Sequence, residues 1–294
     1  MKIGIIGNSS KEKFREVLDE LLHSLIKRKA TVIADEGLRE EFILSSQKID
    51  TIFVPMDDVA KHCELLFALG GDGTILTAAR VVGNTNVPII GINLGKLGFL
   101  ASISINELHE VLEELFSNAY VLDERSILQA VNSKDNSVMY GLNDIVIDKG
   151  NSFRIIEIDV FIGHDYLATY AADGIIIATQ TGSTAYSLAS GGPILTPSSD
   201  ALVITPISPH NLTVRSVVVP LKSEVILRSN KSALPIHITS DGQNDSFYSA
   251  PLEVKISIAP YTINLVKRKN YSYFETLREK FLWGKRIVNS KNSL

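Results

Sequence analysis

The strongest constraint on this chain is an apolar run, Leu65-Leu66-Phe67-Ala68-Leu69, that passes directly into Gly70-Gly71-Asp72-Gly73-Thr74 and then into a second apolar stretch at 75–82. An apolar run with no alternation fits a strand covered on both faces, as in a parallel sheet between helical layers. The glycines turn the chain at the carboxyl end of that strand, and the helix predicted over 75–82 presents its first backbone N–H groups to the turn. Anions are stabilised at such a place. Glycine permits positive φ and removes the Cβ atoms that would hold a phosphate away, and Thr74 is a candidate helix cap. Asp72 is the unusual member. A loop that only holds phosphate gains nothing from a carboxylate, whereas a phosphoryl-transfer site can use one to take a proton from the attacking hydroxyl. A free aspartate carboxyl, with a pKa of roughly 3.9, is too weak a base to ionise a hydroxyl beforehand. Proton transfer must therefore accompany attack, and orientation matters as much as basicity. The plainer alternative is a turn that merely joins strand to helix. The complete pentapeptide behind a buried strand favours the catalytic reading.

Around this loop the first part of the chain alternates. Residues 2–7 read as a strand, and Phe14, Val17, Leu18, Leu21, Leu22 and Leu25 recur at helical spacing. Strands are predicted at 31–34, 51–54, 65–69 and 87–92, and a helix over 105–116 opened by Asn106 and Glu107. This alternation predicts an α/β N-terminal domain with a parallel sheet. From about Tyr120 the runs become β-branched and aromatic, separated by turn residues such as Gly163-His164-Asp165. A mainly antiparallel β domain follows from that pattern. The expected division is 1–118 for the first domain, 119–267 for the second, and a returning segment, 268–294, that joins the first. Its helix, 273–283, should turn Phe274, Leu277, Phe281 and Leu282 to one packed side.

The densest polar constellation runs from Asp173-Gly174 through the strand 175–178 to Thr181-Gly182-Ser183-Thr184-Ala185-Tyr186-Ser187 and Gly191-Gly192-Pro193. Clustered hydroxyls, small residues that admit a ligand to the backbone, and the flat face of Tyr186 suit a nucleoside. A helix N-terminus capped by Ser183 or Thr184 is the simpler reading and uses only one hydroxyl. Asn143-Asp144, Asp241-Gly242-Gln243 and the run 91–95 each read, taken alone, as turns or strand exits. Lys11 to Lys13 and Lys267 to Lys269 read as solvated faces, and the scattered histidines show no metal spacing. Neither Gly-x-x-x-x-Gly-Lys-Ser/Thr nor Gly-x-Gly-x-x-Gly occurs, so any dinucleotide binds by another geometry.

The 294 residues, 45% hydrophobic, are enough for two cores. A formal net charge of -4 gives no basic field for nucleic acid, and no window is long and apolar enough for a membrane span. A single cysteine, Cys63, precludes an intramolecular disulfide, which together with the lack of a signal segment suggests a cytoplasmic protein.

In order, Gly70-Gly71-Asp72-Gly73-Thr74, Gly91-Ile92-Asn93-Leu94-Gly95-Lys96-Leu97-Gly98-Phe99-Leu100, Asn143-Asp144, Asp173-Gly174, Thr181 to Ser187, Gly191-Gly192-Pro193 and Phe274-Glu275-Thr276-Leu277-Arg278 resemble the NAD kinases over nearly the whole chain. The first loop is shared with phosphofructokinases and with diacylglycerol and sphingosine kinases, whereas Thr-Gly-Ser-Thr-Ala-Tyr-Ser is the specific motif. The resemblance implies an N-terminal α/β domain, a β-sandwich-like C-terminal domain and an active site between them. It implies ATP as donor with a divalent metal, Mg2+, brought with the nucleotide and not held by a protein metal site, and NAD as acceptor. It further implies Asp72 as general base beside Gly71, Gly73 and Thr74. Asn143, Asp144, Arg154, Asp173, Thr184, Ala185, Tyr186, Ser187, Ala189 and Gln243 fall at positions resembling NAD contacts, and a homo-oligomer, dimer or tetramer, is the family norm. Three positions depart from the family pattern: Asp144 where glutamate is usual, Gln180 where proline commonly stands, and Ala171 where some NAD-selective relatives carry a charge. A lipid or sugar-phosphate kinase of the same superfamily is the nearest rival. Against it stand the lack of an evident membrane-docking surface and the scarcity of arginines near the motifs. A non-catalytic nucleotide sensor, a rival of another kind, would have no need of Asp72.

Overall fold

The computed structural model describes residues 1–95, 98–117, 119–230 and 235–284. Lys96 and Leu97 of the 91–100 motif, residue 118 at the expected end of the first domain, and 285–294 of the returning segment lie outside the described residues. The first part of the chain runs β1 (Lys2–Gly7), α1 (Phe14–Lys27), β2 (Thr31–Asp35), α2 (Arg39–Leu44), β3 (Thr51–Val54), α3 (Val59–His62), β4 (Leu65–Gly70), α4 (Asp72–Val82), β5 (Ile89–Asn93), β6 (Ile103–Ser104) and α5 (Leu108–Phe116). The strands pair in parallel in the order β3-β2-β1-β4-β5. All six residues of β4 are buried, because helices cover both faces. On one face lie the six apolar residues of α1 at helical spacing, all buried, together with Leu108, Val111, Leu112 and Leu115 of α5. The other face carries α3 and α4. The order reverses direction between β1 and β4, so the carboxyl ends of these two strands form the crevice where open α/β sheets take ligands.

The second part runs β7 (Tyr120–Asn132), β8 (Val138–Gly141), β9 (Asp144–Asp148), β10 (Ile156–Ile162), β11 (Asp165–Ala172), β12 (Gly174–Ala178), α6 (Tyr186–Ala189), β13 (Ala201–Ile207), β14 (Val217–Pro220), β15 (Val225–Ser229), β16 (Ile236–Ser240), β17 (Asn244–Tyr248), β18 (Leu252–Arg268) and α7 (Tyr273–Phe281). A six-stranded antiparallel sheet, β14-β13-β12-β9-β16-β17, packs its apolar face on β7, β10, β11, β15 and the first part of β18. That is the sandwich expected of the C-terminal domain. The two halves are one sheet at their seam. β18 pairs antiparallel with β7 along most of its 17 residues, with a register shift between Ile258 and Thr262, and then joins the parallel sheet through Leu265 opposite Ile89 of β5. Ile263 and Leu265 lie in the α4-side core and Val266 in the α1-side core.

Several local expectations change. Helix α4 begins at Asp72 rather than Ile75, with Gly71 at the cap and no capping side chain, so Thr74 is not the cap. The turn before α5 is closed by a reciprocal Ser104–Glu107 capping box, not by Asn106. On α7 only Leu277 of the predicted apolar side is well buried, while Phe274 and Leu282 are 59% and 61% exposed. Lys267 is not part of a solvated face; at 2% exposure it is a core residue. Strand alternation explains the reversal, since a residue late in a long strand faces in or out by register rather than by its charge.

Because β7 and β18 belong to both halves, calorimetry is expected to show one cooperative transition. Ile263→Ala, at a fully buried position, should lower its stability by about 2–5 kcal/mol. Two resolved transitions, with only one responding to the substitution, would contradict a shared framework.

Candidate functional site

At the end of β4 the chain turns tightly because a Cβ on Gly70 would lie 2.0 Å from the Thr74 hydroxyl, which occupies that space. Asp72 then occupies the first turn of α4, and its carboxylate reaches across to a segment far along the chain. Oδ2 accepts the Phe99 N–H at 2.9 Å, and Oδ1 accepts those of Leu100 and Ala101, each at 3.0 Å. A Cβ on Gly98 would lie 1.9 Å from Oδ1, so glycine there is required by the approach of the carboxylate. Residues 98–101, at the end of the 91–100 motif and one residue beyond it, are thus the cradle of Asp72, with Asn93 beside them donating through Nδ2 to the Ala101 carbonyl at 3.2 Å. Beside the loop, Gly7, Asn8, Ser9, Lys11, Gly71, Gly73, Thr74, Thr77 and Gln243 line a cavity of about 530 Å³ at the β1/β4 crevice.

The second loop is locked to the Asn143 segment by backbone approach. A Cβ on Gly182 would sit 2.0 Å from the Asn143 carbonyl oxygen, and the Thr179 N–H and hydroxyl donate to the Asn143 and Leu142 carbonyls at 2.9 and 2.6 Å. Most of its hydroxyls are engaged within the fold. Ser183 donates to Gln180 and accepts from the Leu195 N–H, Thr184 donates to Thr181, Thr181 accepts from buried Arg125, and Ser187, fully buried, meets Thr205 at 2.8 Å. No helix here is capped by Ser183 or Thr184; a single 3₁₀ turn, Gly182–Thr184, precedes α6 instead. Ala185 is half-buried and Tyr186 exposed, and burial together with the charges of Asp148, Asp144 and Asp173 raises the Tyr186 phenol above its ordinary value. An aromatic face therefore stands beside three acidic side chains. Asp173 is paired with Lys149 at 2.6 Å. Arg154 lies on the exposed turn before β10, and Ala189 is exposed at the end of α6.

The β16–β17 turn joins the two loops. Asp241, at positive φ, accepts the N–H groups of Leu142, Asn143 and Asp144 at 2.8, 2.7 and 3.1 Å. Two residues on, Gln243 donates to the Gly73 carbonyl at 2.9 Å and to the Thr77 hydroxyl at 3.2 Å. One turn thus brings Asn143 and Asp144 to the start of α4. Asp241 is a residue that sequence reasoning passed over as an ordinary turn former; an Asp-Gly pair says nothing of what its carboxylate binds.

Residues 3–120 match the model of the ATP-NAD kinase N-terminal domain, and 142–268 that of the C-terminal domain. The chain belongs to the ATP-NAD kinase family. It is an enzyme, a kinase of the NAD kinase type. An NAD kinase of Bacteroides fragilis is 39% identical over 290 residues, covering 97% of this chain and 98% of the relative. One from Christiangramia forsetii is 37% identical over 291 residues, covering 97% and 98%. Yeast NADH kinase complexed with NADH superposes with a TM-score of 0.90 at 28% identity, over 99% of this chain and 90% of that one. An Archaeoglobus fulgidus NAD kinase in complex with ATP has a TM-score of 0.74 at 20% identity, over 95% and 98%, and shares the fold. Among the described residues no helix is long and apolar enough to cross a membrane.

Within this NAD kinase fold the electrostatics centre on two buried acids. Burial first, and the neighbouring Asp241 second, push the Asp144 carboxyl up to about 7. Burial also raises Asp241, but three N–H donors favour its charged form, so of the two acids Asp144 is the one that more readily keeps a proton. A folded-state carboxyl raised above its unfolded value makes the native protein the better proton binder, so stability falls as pH rises from about 4 through 7. Asp144→Asn removes that loss. The ligand-free variant should exceed the wild type in stability at pH 8 by up to roughly 4 kcal/mol, at 1.36 kcal/mol per pH unit, and match it near pH 4. Denaturant unfolding at the two pH values tests this, and a pH-independent difference would refute the assignment.

Proposed function

We infer that this kinase transfers the terminal phosphoryl group of ATP to the 2′-hydroxyl of the adenosine ribose of NAD, giving NADP, with Asp72 as general base. The observation that carries the reading is the 241–243 turn, bonded to Gly73 on one side and to the 142–144 amides on the other. It sets a base on the first turn of α4 beside the residues suited to hold a nucleoside. NAD lies between the two domains, its adenosine against Tyr186 and within reach of Asn143, Asp144, Asp173 and Thr184. A protonated Asp144 offers both a donor and an acceptor to the base or ribose. Arg154 and Ala189, both exposed, are assigned to the outer parts of the dinucleotide.

An ionised carboxylate has about four lone-pair sites. Two N–H groups take those of Asp72 Oδ1 and one takes a site on Oδ2, leaving Oδ2 one for the substrate hydroxyl. The 2′-oxygen forms its bond to the γ-phosphorus as the bond from that phosphorus to the bridging oxygen breaks and ADP departs. The proton passes to Oδ2. The ATP phosphates fit the cavity at the β1/β4 crevice, where the amino end of α4 and the Lys11 ammonium oppose their charge. Among the described residues no group of three or more His, Cys, Asp or Glu could hold a metal ion. No residue is assigned to a cation. A divalent ion carried on ATP would screen the transferred phosphoryl group. A homo-oligomer in the cytoplasm completes the reading by family likeness.

Asp72→Asn should lower the rate of NADP formation from ATP and NAD by about 10²–10⁴-fold while NAD binding, followed by calorimetry, persists. Undiminished turnover in the variant would remove Asp72 from the proton transfer. A wild type that binds NAD yet makes no NADP would support a sensor.

A further inference from the structure

The cradle of Asp72 is itself held from behind by one buried cation. Lys267, near the end of β18, donates from Nζ to the Leu100 carbonyl at 3.0 Å and to the Ser102 hydroxyl at 2.9 Å, and the ammonium lies 4.6 Å from the centre of the Tyr271 ring. The Leu100 carbonyl and the Ala101 N–H belong to one peptide group. That peptide therefore accepts from Lys267 on one edge and donates to Asp72 Oδ1 on the other. A cation on the carbonyl polarises the amide and strengthens the hydrogen bond its N–H makes. The Phe99 ring extends the support, packing against Tyr273 and Phe281 of α7 at 6.4 and 5.8 Å.

We propose that Lys267 is a positioning residue for phosphoryl transfer, acting through the Leu100–Ala101 peptide to fix the Asp72 carboxylate with its free Oδ2 site turned to the acceptor hydroxyl. Nothing else in the mechanism uses this ammonium, and a lysine with 2% exposure is costly to keep without a polar purpose. The groups facing it are Arg125 and Asp123 of β7, Asp72 of α4, and Tyr271 on its own return loop. Burial and then Arg125 push the lysine down to about 7, with Asp123 and Asp72 opposing. The clamp is strongest at low pH, where Lys267 carries its proton, and loosens as pH rises through that value. Arg125 also donates to Thr181 of the second loop at 3.2 Å, so the same buried cluster borders both halves of the site.

The proposal rests on Asp72 being the base, and the tests separate the two. Lys267→Met preserves length and removes the charge. It should lower kcat by about 10- to 100-fold while KM for NAD and for ATP stays within about twofold, because no substrate touches the residue. Ser102→Ala leaves the ammonium in place and removes one of its acceptors, so a smaller fall in kcat, again without a KM change, is expected even if Lys267→Met folds poorly. In isotopically labelled wild type the Ala101 amide resonance should titrate near neutrality, and in Ser102→Ala the midpoint should move. Unchanged kcat in both variants beside a crippled Asp72→Asn would overturn the clamp and leave the base intact. An Ala101 resonance insensitive to pH between 6 and 9 would overturn it independently of any activity.

Discussion

The site depends on a carboxylate being held by peptide groups that lie 27 to 29 residues away in sequence. Three N–H donors on one side chain fix its position more firmly than a single ion pair, because each bond is directional and together they over-determine the carboxylate plane. For those donors to converge, residues 98–101 must lie beside the end of β4, next to which the parallel pairing places β5. The same pairing opens the crevice at the β1/β4 reversal. Sheet order, loop position and the orientation of the Asp72 carboxylate are consequences of one arrangement.

A second constraint is that the 142–144 segment and the loop locked to it are not free to move away from the start of α4. The 241–243 turn grips Gly73 and Thr77 through a side-chain amide and the 142–144 backbone through a carboxylate. Beneath it, β7 and β18 carry the hydrogen-bond ladder across both halves. Groups that must meet within hydrogen-bonding distance thus sit on a common frame, which is how a site gains orientation without depending on flexible loops.

Much of this was legible in the residues. Unbroken apolar runs gave away the doubly covered strands, helical spacing identified α1, and the glycines marked the loop, because these signals are local and periodic. The partners of polar side chains were not legible. Taken alone, Asp241 and Gln243 read as a turn, Gln243 standing out only through the family resemblance, the 91–95 run read as a strand exit and Lys267 as a solvated charge. Asp241, Gln243 and Lys267 owe their roles to contacts spanning 97 to 170 residues, which no window of sequence contains. The hydroxyls of 181–187 suggested open donors, yet most are spent on holding the loop together; composition counts polar groups but not the backbone carbonyls that claim them. Gly98 was the available clue, since a glycine outside a turn signals something approaching closely.

The neighbours Lys267 and Arg268 point to opposite sides of β18. The first is sealed behind the Asp72 cradle, while the second meets Glu107, Glu110 and Glu114 at 3.1, 2.9 and 2.7 Å. A single-residue slip of the strand would exchange them, driving a guanidinium into a space filled by an ammonium and leaving three glutamates facing the wrong side. Chemistry as well as packing therefore pins the register, and the irregularity between Ile258 and Thr262 is where the strand absorbs the mismatch between its two halves. One inserted or deleted codon in the last third of β18 would therefore rewire both faces of the strand at once.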